Sequence, residues 1–350
     1  MSAANQLWSE VIPLGEGWET PQRFDGSVNI GSIQIHATGF ASKYKDGRTL
    51  TGSAASIDKP VPDRAYYELM ERTALYSAMQ LHPQVALPEV DVKGRAIGEK
   101  LIGDLFPLSS HPNQWDFARS NGVACHFELA EAIRRAVWEL AEREAILRSW
   151  YGLTRPVPVS RAEGPLWQLS PIYNVFHVEF PSVTTKTELG IDDHKVAGCF
   201  LFPKNKDTAP LVYGFGVGGH IEGALDAAER ECLQRLGFLW HEKVPMTCAA
   251  LKPTAVWHQE YYLVPSHHYK VLRWITMGHQ EFRTDHSSVA SRQFEPLIVS
   301  FVELTPKEWS GRIHIVKTIG EKAIPLLWGE PADAAHLTAV PQDLWIHPIV

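Results

Sequence analysis

The sequence predicts a mixed α/β fold of the α+β kind, in which mixed sheets pack against helices and a strand followed by an acidic helix forms a pseudo-repeat. Three observations lead to this prediction. The segment Glu128–Tyr151 has the apolar spacing of an amphipathic helix, several other segments alternate like strands, and one acidic helix pattern recurs. The chain has 350 residues and is 45% hydrophobic, which is enough for a large core.

The first part of the chain is predicted to contain a strand, a loop and a helix. Residues 29–41 alternate like a strand, and the polar run at residues 42–56 predicts a loop. Pro62 supplies a helix start, so a helix is expected to run to about Gln80. Three further elements are expected before Gly152: strands at residues 90–97 and 123–125, and a central helix at Glu128–Tyr151.

The second part is predicted to be richer in strands. Strands are expected at residues 173–180, 196–202, 211–217, 258–264, 298–304 and 313–319. Helices are expected at residues 222–240 and 268–277, and the proline-containing end of the chain is expected to be coil. Because no low-complexity linker interrupts the pattern, the sequence predicts one large domain at residues 45–350, preceded by an extension at residues 1–44.

Composition and charge argue against several classes of protein. The net charge is −7 and the pI is about 6.1, so the chain lacks the basic field that attracts nucleic acid, and we expect no nucleic-acid partner. The four cysteines include no C-x-x-C pair, which indicates reduced thiols in a cytoplasmic protein. No apolar stretch reaches about eighteen residues, so no membrane span or membrane partner is expected.

The central helix has two distinct faces. Its apolar face comprises Ile133, Ala136, Val137, Leu140, Ala141 and Leu147. Its other face carries Glu131, Glu139 and Glu142 within about 80° of one another. Like charges this close repel, so a positive group should offset them. Either neighbouring arginines or a hard divalent cation can do so, and the candidate arginines are Arg134, Arg135 and Arg143.

The pattern E-x-x-E-R recurs along the chain. It occurs at Glu68–Arg72 and at Glu139–Arg143, and Glu231–Arg235 repeats it with Gln234 in place of the second acid. One copy alone is typical of any solvated helix face. Three copies on otherwise dissimilar helices favour a functional role for this face over a chance similarity between solvated helix surfaces.

Other motifs give weaker indications. Gly214–Gly219 satisfies G-x-G-x-x-G between a strand and a helix, which is a dinucleotide-binding pattern. No second parallel strand ending in an acidic residue follows, so glycines that allow a tight approach are the better interpretation. No metal-binding pair of histidines, G-x-S-x-G elbow or P-loop occurs. His126, His220 and His347 are candidate acid/base groups, although a structural role is the default for each.

Taken together, these motifs resemble the YcaO domain. The resemblance rests on Ser120–Ala124 followed by Glu131 and the E-x-x-E-R of the central helix, on the earlier E-x-x-E-R, on Gly216–His220 leading into the third copy, and on Val302–Thr305 with Ile313–Lys317. It extends from about residue 45 to the C-terminus.

The resemblance implies an enzyme that binds ATP and Mg2+ in a central cleft and activates a backbone amide of a peptide. In the azoline-forming branch, a Cys, Ser or Thr side chain adds to the preceding carbonyl, and a thiazoline or oxazoline results. By this resemblance, the metal ligands would be Glu68, Glu71, Glu139 and Glu142. The nucleotide would be bound by Ser53, Arg72, Glu131, Arg143, Glu231, Gln234 and Arg235. At the C-terminus, His347 and the carboxylate of Val350 would act on protons.

The chain departs from the family pattern at two places. Arg64 stands where the family often has Ser, and His126–Glu128 replaces a common G-N-T. These departures motivate a second hypothesis, a scaffold subunit that keeps the fold without catalysis. A third hypothesis is an enzyme that forms a thioamide or an amidine, because the nucleophile belongs to the substrate or to a partner.

The resemblance also predicts partners. The substrate would be a ribosomally made precursor peptide. Residues 1–44 are too few for a leader-binding module, so we expect a hetero-complex with a leader-binding subunit, E1-like or similar. A dehydrogenase subunit is a further candidate partner, and a homodimer is compatible with the sequence.

Overall fold

The computed structural model describes residues 12–161, 163–248, 253–278, 294–331 and 340–349. The chain forms two compact units. Unit 1 comprises Met1–Phe106, Gly122–Glu139 and Val299–Ile319, and unit 2 comprises Pro107–Asn121, Leu140–Ile298 and Gly320–Val350. Strands on both sides of residue 44 pair within unit 1. The predicted division into residues 1–44 and 45–350 stays a prediction.

Sheets and helices alternate along the chain, as predicted. The strands are β1 (Gln22–Ile30), β2 (Ile33–Lys43), β3 (Thr49–Ser56), β4 (Ala86–Val90), β5 (Ala96–Leu101), β6 (Trp115–Phe117), β7 (Val123–His126), β8 (Val157–Pro158), β9 (Tyr173–Thr187), β10 (Gly190–Pro203), β11 (Val212–Gly218), β12 (Leu297–Glu303), β13 (His314–Gly320) and β14 (Leu327–Gly329). The α-helices are α1 (Pro62–Met79), α2 (Ile102–Leu105), α3 (Leu129–Trp150), α4 (Ile221–Leu239), α5 (Ala255–Leu263) and α6 (His268–Met277).

Unit 1 begins with an antiparallel sheet in the order β1-β2-β3. The prediction of a single strand at residues 29–41 is wrong, because Gly31 adopts a positive φ of 58° and the chain turns back there between β1 and β2. The predicted loop at residues 42–56 is also wrong over Thr49–Ser56. The small residues of this polar run form β3, which packs against α1.

The helix α1 confirms the prediction and fixes the position of β3. Pro62 occupies its first turn, where the missing N–H is tolerated. A Cβ atom on Gly52 of β3 would lie 2.2 Å from the backbone nitrogen of Leu69 and 2.3 Å from the carbonyl oxygen of Ala65. Only glycine therefore allows β3 and α1 to approach this closely.

A second sheet and an apolar core complete unit 1. The strand β13 pairs antiparallel with β7 and neighbours β12, and the hairpin β4–β5 pairs with β12. The predicted short strand at residues 90–97 is thus replaced by a hairpin. The buried core joins α1 to these strands through residues such as Leu69, Met70, Cys125 and Ile315.

Unit 2 contains an antiparallel sheet in the order β11-β10-β9, with β8 on the outer edge of β9. The first residues of β12, Leu297 and Ile298, pair in parallel with β9. The helix α4 packs on β11, where a Cβ atom on Gly214 would lie 2.3 Å from the backbone nitrogen of Cys232 and 2.4 Å from the carbonyl oxygen of Ala228. Gly214 and Gly216, the first two glycines of the G-x-G-x-x-G motif, thus lie in a strand that a helix covers, and Gly219 follows the end of this strand.

One element of unit 2 contradicts its prediction. Residues 258–264 were expected to be a strand, but α5 occupies this region. The side chain of Thr254 accepts a hydrogen bond from the backbone N–H of Trp257, 3.2 Å away, and so caps the helix. The predicted coil at the end of the chain also contains a short strand, β14, which pairs with β6.

The helices α3, α4 and α6 confirm their predictions. The apolar face predicted for the central helix is buried throughout, because Ile133, Ala136, Val137, Leu140, Ala141 and Leu147 are each at most 6% exposed. Within the described ranges, no helix is both long enough and apolar enough to cross a membrane.

Candidate functional site

The first glutamate of the α1 motif is held by groups of unit 1. The Glu68 carboxylate accepts a hydrogen bond from the backbone N–H of Ser53 at 2.6 Å and forms an ion pair with Arg72 at 2.5 Å. The guanidinium of Arg72 also donates to the carbonyl oxygen of Thr51 at 2.8 Å. Burial raises the pKa of Glu68, while Arg72 and the Ser53 N–H act in the opposite direction. The strand β3 therefore fixes this carboxylate.

The second glutamate of the motif lies in a more demanding environment. Burial raises the pKa of Glu71 well above its ordinary value of 4.5, and the nearby carboxylates of Glu139 and Glu68 raise it further. The positive charge of Arg72 and a hydrogen bond from the backbone N–H of Cys125 partly oppose this effect. Three carboxylates from α1 and α3 therefore converge inside unit 1. A cation placed among them would relieve their mutual repulsion.

A buried lysine adjoins the same group. Lys317 on β13 is only 6% exposed, and burial lowers the pKa of its ammonium to about 8, while the attraction of Glu139 raises it. Sequence reasoning did not single out this residue as functional. The signal was available, because strand alternation places Lys317 on the same face as the buried Ile313 and Ile315.

The carboxylates of unit 1 fit magnesium in one specific way. Within the ranges that the structure covers, no group of three or more His, Cys, Asp or Glu side chains is arranged to hold a metal ion. Magnesium, however, usually binds one or two carboxylates and completes its shell with phosphate oxygens and water. Glu71 and Glu139 supply such a partial set. They fit a magnesium ion that arrives with a polyphosphate better than a site built from protein alone.

Glu131 has a different environment from Glu139, although both lie on one helix face. Its carboxylate accepts hydrogen bonds from Arg134 at 2.6 and 2.8 Å and from Arg135 at 2.7 Å. Burial acts to raise the pKa of Glu131, but the hydrogen bonds and charges of the two arginines outweigh burial and hold this pKa below its ordinary value. Arginines therefore offset the charge at Glu131. The assignment of Glu131 to the nucleotide stays a prediction.

The remaining acid of the central motif belongs to unit 2. Glu142 is 8% exposed, and one of its carboxylate oxygens lies 3.7 Å from the guanidinium of Arg143. The predicted metal ligands are thus distributed over two units: Glu68, Glu71 and Glu139 in unit 1, and Glu142 in unit 2. The assignment of Glu142 to the metal and the assignment of Arg143 to the nucleotide stay predictions.

The third motif copy, in unit 2, shares with the first a hydrogen bond from the adjacent strand and a close glycine contact, but its arginine has a different neighbour. The backbone N–H of Phe215 donates to the Glu231 carboxylate at 2.8 Å, as Ser53 does to Glu68. The guanidinium of Arg235 lies 4.2 Å from the ring centroid of Tyr213. Gln234 lies between these two motif residues on α4 and is partly buried. The strand–helix contact at Gly214 matches the contact at Gly52 in unit 1.

Sequence reasoning missed a buried acid two residues before Glu231. Glu229 is 3% exposed, and its carboxylate lies 2.9 Å from Nε2 of His177 and 3.3 Å from Nε of Arg161. Residues two positions apart leave a helix on different sides. Glu231 accordingly contacts Phe215 of β11, whereas Glu229 contacts His177 of β9. This cluster anchors α4 to β9.

The predicted catalytic residues are at the C-terminus. His347 is fully buried, its Nε2 donates to the carbonyl oxygen of Leu327 at 2.8 Å, and its ring centroid lies 4.5 Å from that of His258. Burial lowers the pKa of His347 to about 4, so the ring is neutral at neutral pH. Val350 lies outside the described residues. The catalytic assignment of both residues stays a prediction.

The residues that replace the common G-N-T also adopt a defined arrangement. The ring of His126 stacks on that of Phe127 with centroids 4.2 Å apart, and its Nδ1 accepts from the backbone N–H of Glu128 at 3.0 Å. Burial, followed by the positive charge of Arg135, lowers the pKa of His126. An aromatic pair therefore stands where the family pattern has small polar residues.

Comparison with protein families and solved structures gives a consistent result. The family model described as "YcaO cyclodehydratase, ATP- and Mg2+-binding" matches residues 104–319. A comparison with curated protein sequences found no match.

Two solved structures resemble most of the chain. YcaO from Methanopyrus kandleri bound with AMPPCP and Mg2+ has a TM-score of 0.53 and 16% identity over 85% of this chain and 84% of its own. A chain of the E. coli microcin synthetase McbBCD complex with pro-MccB17 bound has a TM-score of 0.56 and 12% identity over 88% of this chain and 89% of its own. At such identities the similarity shows the fold. The predicted fold class is thereby confirmed.

A third structure is a longer protein. A heterocyclase in complex with substrate and cofactor has a TM-score of 0.53 and 12% identity, and the match covers 88% of this chain but 50% of the heterocyclase chain.

Proposed function

The chain belongs to the YcaO family, and we propose that it uses ATP and Mg2+ to activate a backbone amide of a ribosomally synthesised peptide. The product we favour is an azoline formed from Cys, Ser or Thr by cyclodehydration. ATP and Mg2+ are the cofactors of this family. When bound, they would supply the phosphoryl group and the charge that make the amide oxygen a leaving group.

One observation carries the proposal: Glu71 and Glu139 bring like charges together in unit 1. The charges of Arg72 and Lys317 act on Glu71 and Glu139 respectively, yet the pKa of Glu71 stays raised. A divalent cation bound between the two carboxylates would offset their repulsion, which supports a binding role. Phosphoryl transfer needs positioning and charge neutralisation more than a covalent protein group. The absence of a nucleophile motif from the sequence agrees with this chemistry.

The residues of unit 1 have distinct proposed roles. Glu71 and Glu139 would hold a magnesium ion, and Glu68 would complete the site from its fixed place beside Ser53. The ion pair of Arg72 with Glu68 favours the charged form of that carboxylate and orients it. These residues orient the metal, and none of them reacts with the peptide.

The roles that we propose for residues of unit 2 rest on the family resemblance. Glu142 is the fourth proposed metal ligand, and the proposed nucleotide contacts of this unit are Arg143, Glu231, Gln234 and Arg235. The hydrogen bond from Phe215 to Glu231 supports the assignment of the third motif, because it fixes this carboxylate as Ser53 fixes Glu68. Proton transfer by His347 and the terminal carboxylate of Val350 belongs to the same proposal.

The proposed partners follow from the proposed substrate. A precursor peptide needs a recognition module, and we propose a leader-binding subunit, E1-like or similar, with a dehydrogenase as a further candidate. The microcin synthetase of similar fold is a McbBCD complex with pro-MccB17 bound. We propose that the complex works in the cytoplasm.

The direct test measures cyclodehydration. The full chain, with its candidate partner subunit, is incubated with a Cys-, Ser- and Thr-containing precursor peptide, ATP and Mg2+. The expected result is loss of one water from the peptide by mass spectrometry, together with phosphate release. The Glu139→Gln variant should lose both signals. The matched control is Glu89→Gln, a carboxylate of unit 1 that pairs with Lys100 at 3.6 Å and should keep both signals.

The scaffold alternative rests on the His126–Phe127 stack, which stands at a polar position of the family pattern. A scaffold would bind nucleotide poorly in the presence of Mg2+, and Glu139→Gln would leave a functional complex. A thioamide- or amidine-forming enzyme would consume ATP but yield a peptide whose mass change differs from loss of one water. Nucleotide binding and peptide mass therefore separate the three hypotheses.

A further inference from the structure

Unit 2 contains a cavity to which the proposed function gives no role. Its walls come from the last turns of α3, the segment that leads into β12 and the turn that follows β13, and all of them belong to unit 2. The cavity has a volume of about 240 Å3. Pockets for larger ligands begin at roughly 300 Å3, so this cavity suits a small molecule.

The buried polar side chain of the cavity is Arg148 of α3. This side chain is 7% exposed, and its Nε donates to the Glu144 carboxylate at 2.7 Å. The other oxygen of Glu144 accepts from the backbone N–H of Ile324 at 2.7 Å. The guanidinium carbon of Arg148 lies 4.2 Å from the ring centroid of Phe294. An ion pair on one edge and an aromatic ring on one face therefore hold the guanidinium in place.

The far end of this guanidinium indicates what the cavity binds. Among the described residues, Nε is the only nitrogen of Arg148 that has a hydrogen-bond partner. The terminal nitrogens Nη1 and Nη2 are thus donors at the wall of the cavity, and polar groups this deeply buried normally receive an acceptor. Two coplanar N–H donors match the two oxygens of a carboxylate.

Much of the remaining wall is apolar. It contains Phe294, Pro296, Leu297 and Ile298, and Ile298 is still 50% exposed. The carbonyl oxygen of Ile298 accepts from the backbone N–H of Glu321 at 2.8 Å, which joins two of the walls. A ligand that fills the cavity would therefore place an apolar group against these side chains.

Charge balance narrows the class of ligand further. The charge of Arg148 is already balanced by Glu144. At the mouth of the cavity, Lys322 lies 3.7 Å from Glu295, and both side chains are almost fully exposed. The remaining charged residue of the lining is Glu321, which has no cationic partner among the described residues. A simple anion would add to this negative charge, whereas a ligand that also carries an ammonium group would not.

We propose that this cavity binds a free α-amino acid with an apolar side chain. Its carboxylate accepts hydrogen bonds from Nη1 and Nη2 of Arg148, and its ammonium group lies at Glu321. Its side chain packs on Phe294, Leu297 and Ile298. Glu144 does not touch the ligand and acts by positioning Arg148. The proposal does not depend on the proposed ATP and Mg2+ chemistry.

The first test compares four small molecules by titration calorimetry on the full chain, without ATP or Mg2+. L-Phenylalanine is expected to bind saturably. Three probes each lack one of its groups: 3-phenylpropanoate lacks the ammonium, phenethylamine lacks the carboxylate and L-serine lacks the apolar side chain. Each should bind at least about tenfold more weakly. The proposal is overturned if L-phenylalanine does not saturate the chain below about 10 mM, or if 3-phenylpropanoate binds equally well.

The second test locates the binding site with two variants. Arg148→Lys keeps the charge that Glu144 needs but loses the paired terminal donors, so L-phenylalanine should bind at least about tenfold more weakly. Glu321→Gln should lose the preference for L-phenylalanine over 3-phenylpropanoate, because no carboxylate then receives the ammonium group.

Each variant has a matched control in unit 2 outside the cavity. Arg155→Lys changes an arginine that donates to the carbonyl oxygen of Thr276 at 3.2 Å, and Glu330→Gln changes an exposed carboxylate. Both controls should bind as the wild type does. Wild-type affinity in a folded Arg148→Lys chain, or an unchanged preference in Glu321→Gln, overturns the proposal. Because Glu321 is exposed, its variant decides the question even if Arg148→Lys fails to fold.

Discussion

Glu71 of α1 and Glu139 of α3 lie close enough together in unit 1 that the charge of one affects the ionisation of the other. Burial makes the largest contribution to the raised pKa of Glu71, and the Glu139 carboxylate makes the next. The two residues are 68 positions apart in sequence. Holding both as carboxylates therefore destabilises the metal-free fold, and a cation bound between them would reverse this effect.

The first prediction concerns stability without metal. A carboxyl whose pKa is raised by folding stabilises the folded state below its unfolded pKa, and this contribution is lost as the pH rises through the folded pKa. Glu71→Gln cannot ionise, so the melting temperature of the variant in EDTA should exceed that of wild type by a few degrees at neutral pH. Thermal melts at several pH values check this. A difference between the two proteins that does not shrink toward acid pH would contradict the assignment.

The second prediction concerns the metal itself. Glu71→Gln and Glu139→Gln should each weaken binding of Mn2+ with a non-hydrolysable ATP analogue by about tenfold or more, since each removes one charged oxygen donor. Electron paramagnetic resonance of free Mn2+ measures the affinity without any need for activity. The control, Glu89→Gln, should bind as wild type does. Wild-type affinity in both ligand variants would place the metal elsewhere.

The third prediction concerns Lys317, the buried lysine beside Glu139. Lys317→Met keeps the length of the side chain and removes its charge. Mn2+ should then bind about threefold tighter or more in the absence of nucleotide, because a positive charge no longer repels it in a weakly screened environment. Titration calorimetry measures the change. Lys322→Met is the control, since Lys322 is 86% exposed. Unchanged or weaker binding in Lys317→Met would show that the lysine does not compete with the metal.

The fourth prediction concerns the contact between β11 and α4. Gly214→Ala should destabilise the protein by about 2 kcal/mol or more, because the new methyl group would overlap backbone atoms of Cys232 and Ala228. The control, Gly219→Ala, places its methyl group where no atom lies within 4 Å. Urea denaturation compares the two variants. If the Gly214→Ala and Gly219→Ala variants were equally stable, the contact between β11 and α4 would accommodate the methyl group without loss of stability.

The fifth prediction concerns His347. Burial lowers its pKa from 6.5 to about 4, so its contribution to stability is fully present above the unfolded pKa and is lost as the pH falls through the folded value. This loss amounts to at most about 3 kcal/mol between these pH values. His347→Gln retains a donor for Leu327 but does not titrate, so its stability should fall less steeply over this range. A slope equal to that of wild type would assign the acid sensitivity to other groups.

Local sequence patterns predicted the helices better than the strands. The helix α6 was predicted with its observed bounds, and α3 and α4 within about one residue at each end, because apolar periodicity and helix start signals are local properties. The strand β3 was missed because its residues are small and polar, and only packing against α1 makes them a strand. The strand predicted at residues 258–264 failed because a short apolar run fits either period.

The candidate site shows the same limit. The sequence identified Glu68, Glu71, Glu139 and Glu142 through a repeated motif and a family resemblance. The helix pattern alone could not distinguish Glu131 from Glu139, since both lie on one face of the same helix, and only the family resemblance assigned them different roles. The structure separates them, because Glu131 is paired with two arginines and Glu139 adjoins Glu71 and Lys317.

The sequence by itself determined that this chain has acidic helices following strands and that it resembles a family that binds ATP and magnesium. Only the tertiary structure decided which acids share an environment and where a lysine is buried among them. The physical reason is distance. Periodicity and capping act between residues a few positions apart, whereas desolvation and charge repulsion depend on residues that folding brings together from distant parts of the chain.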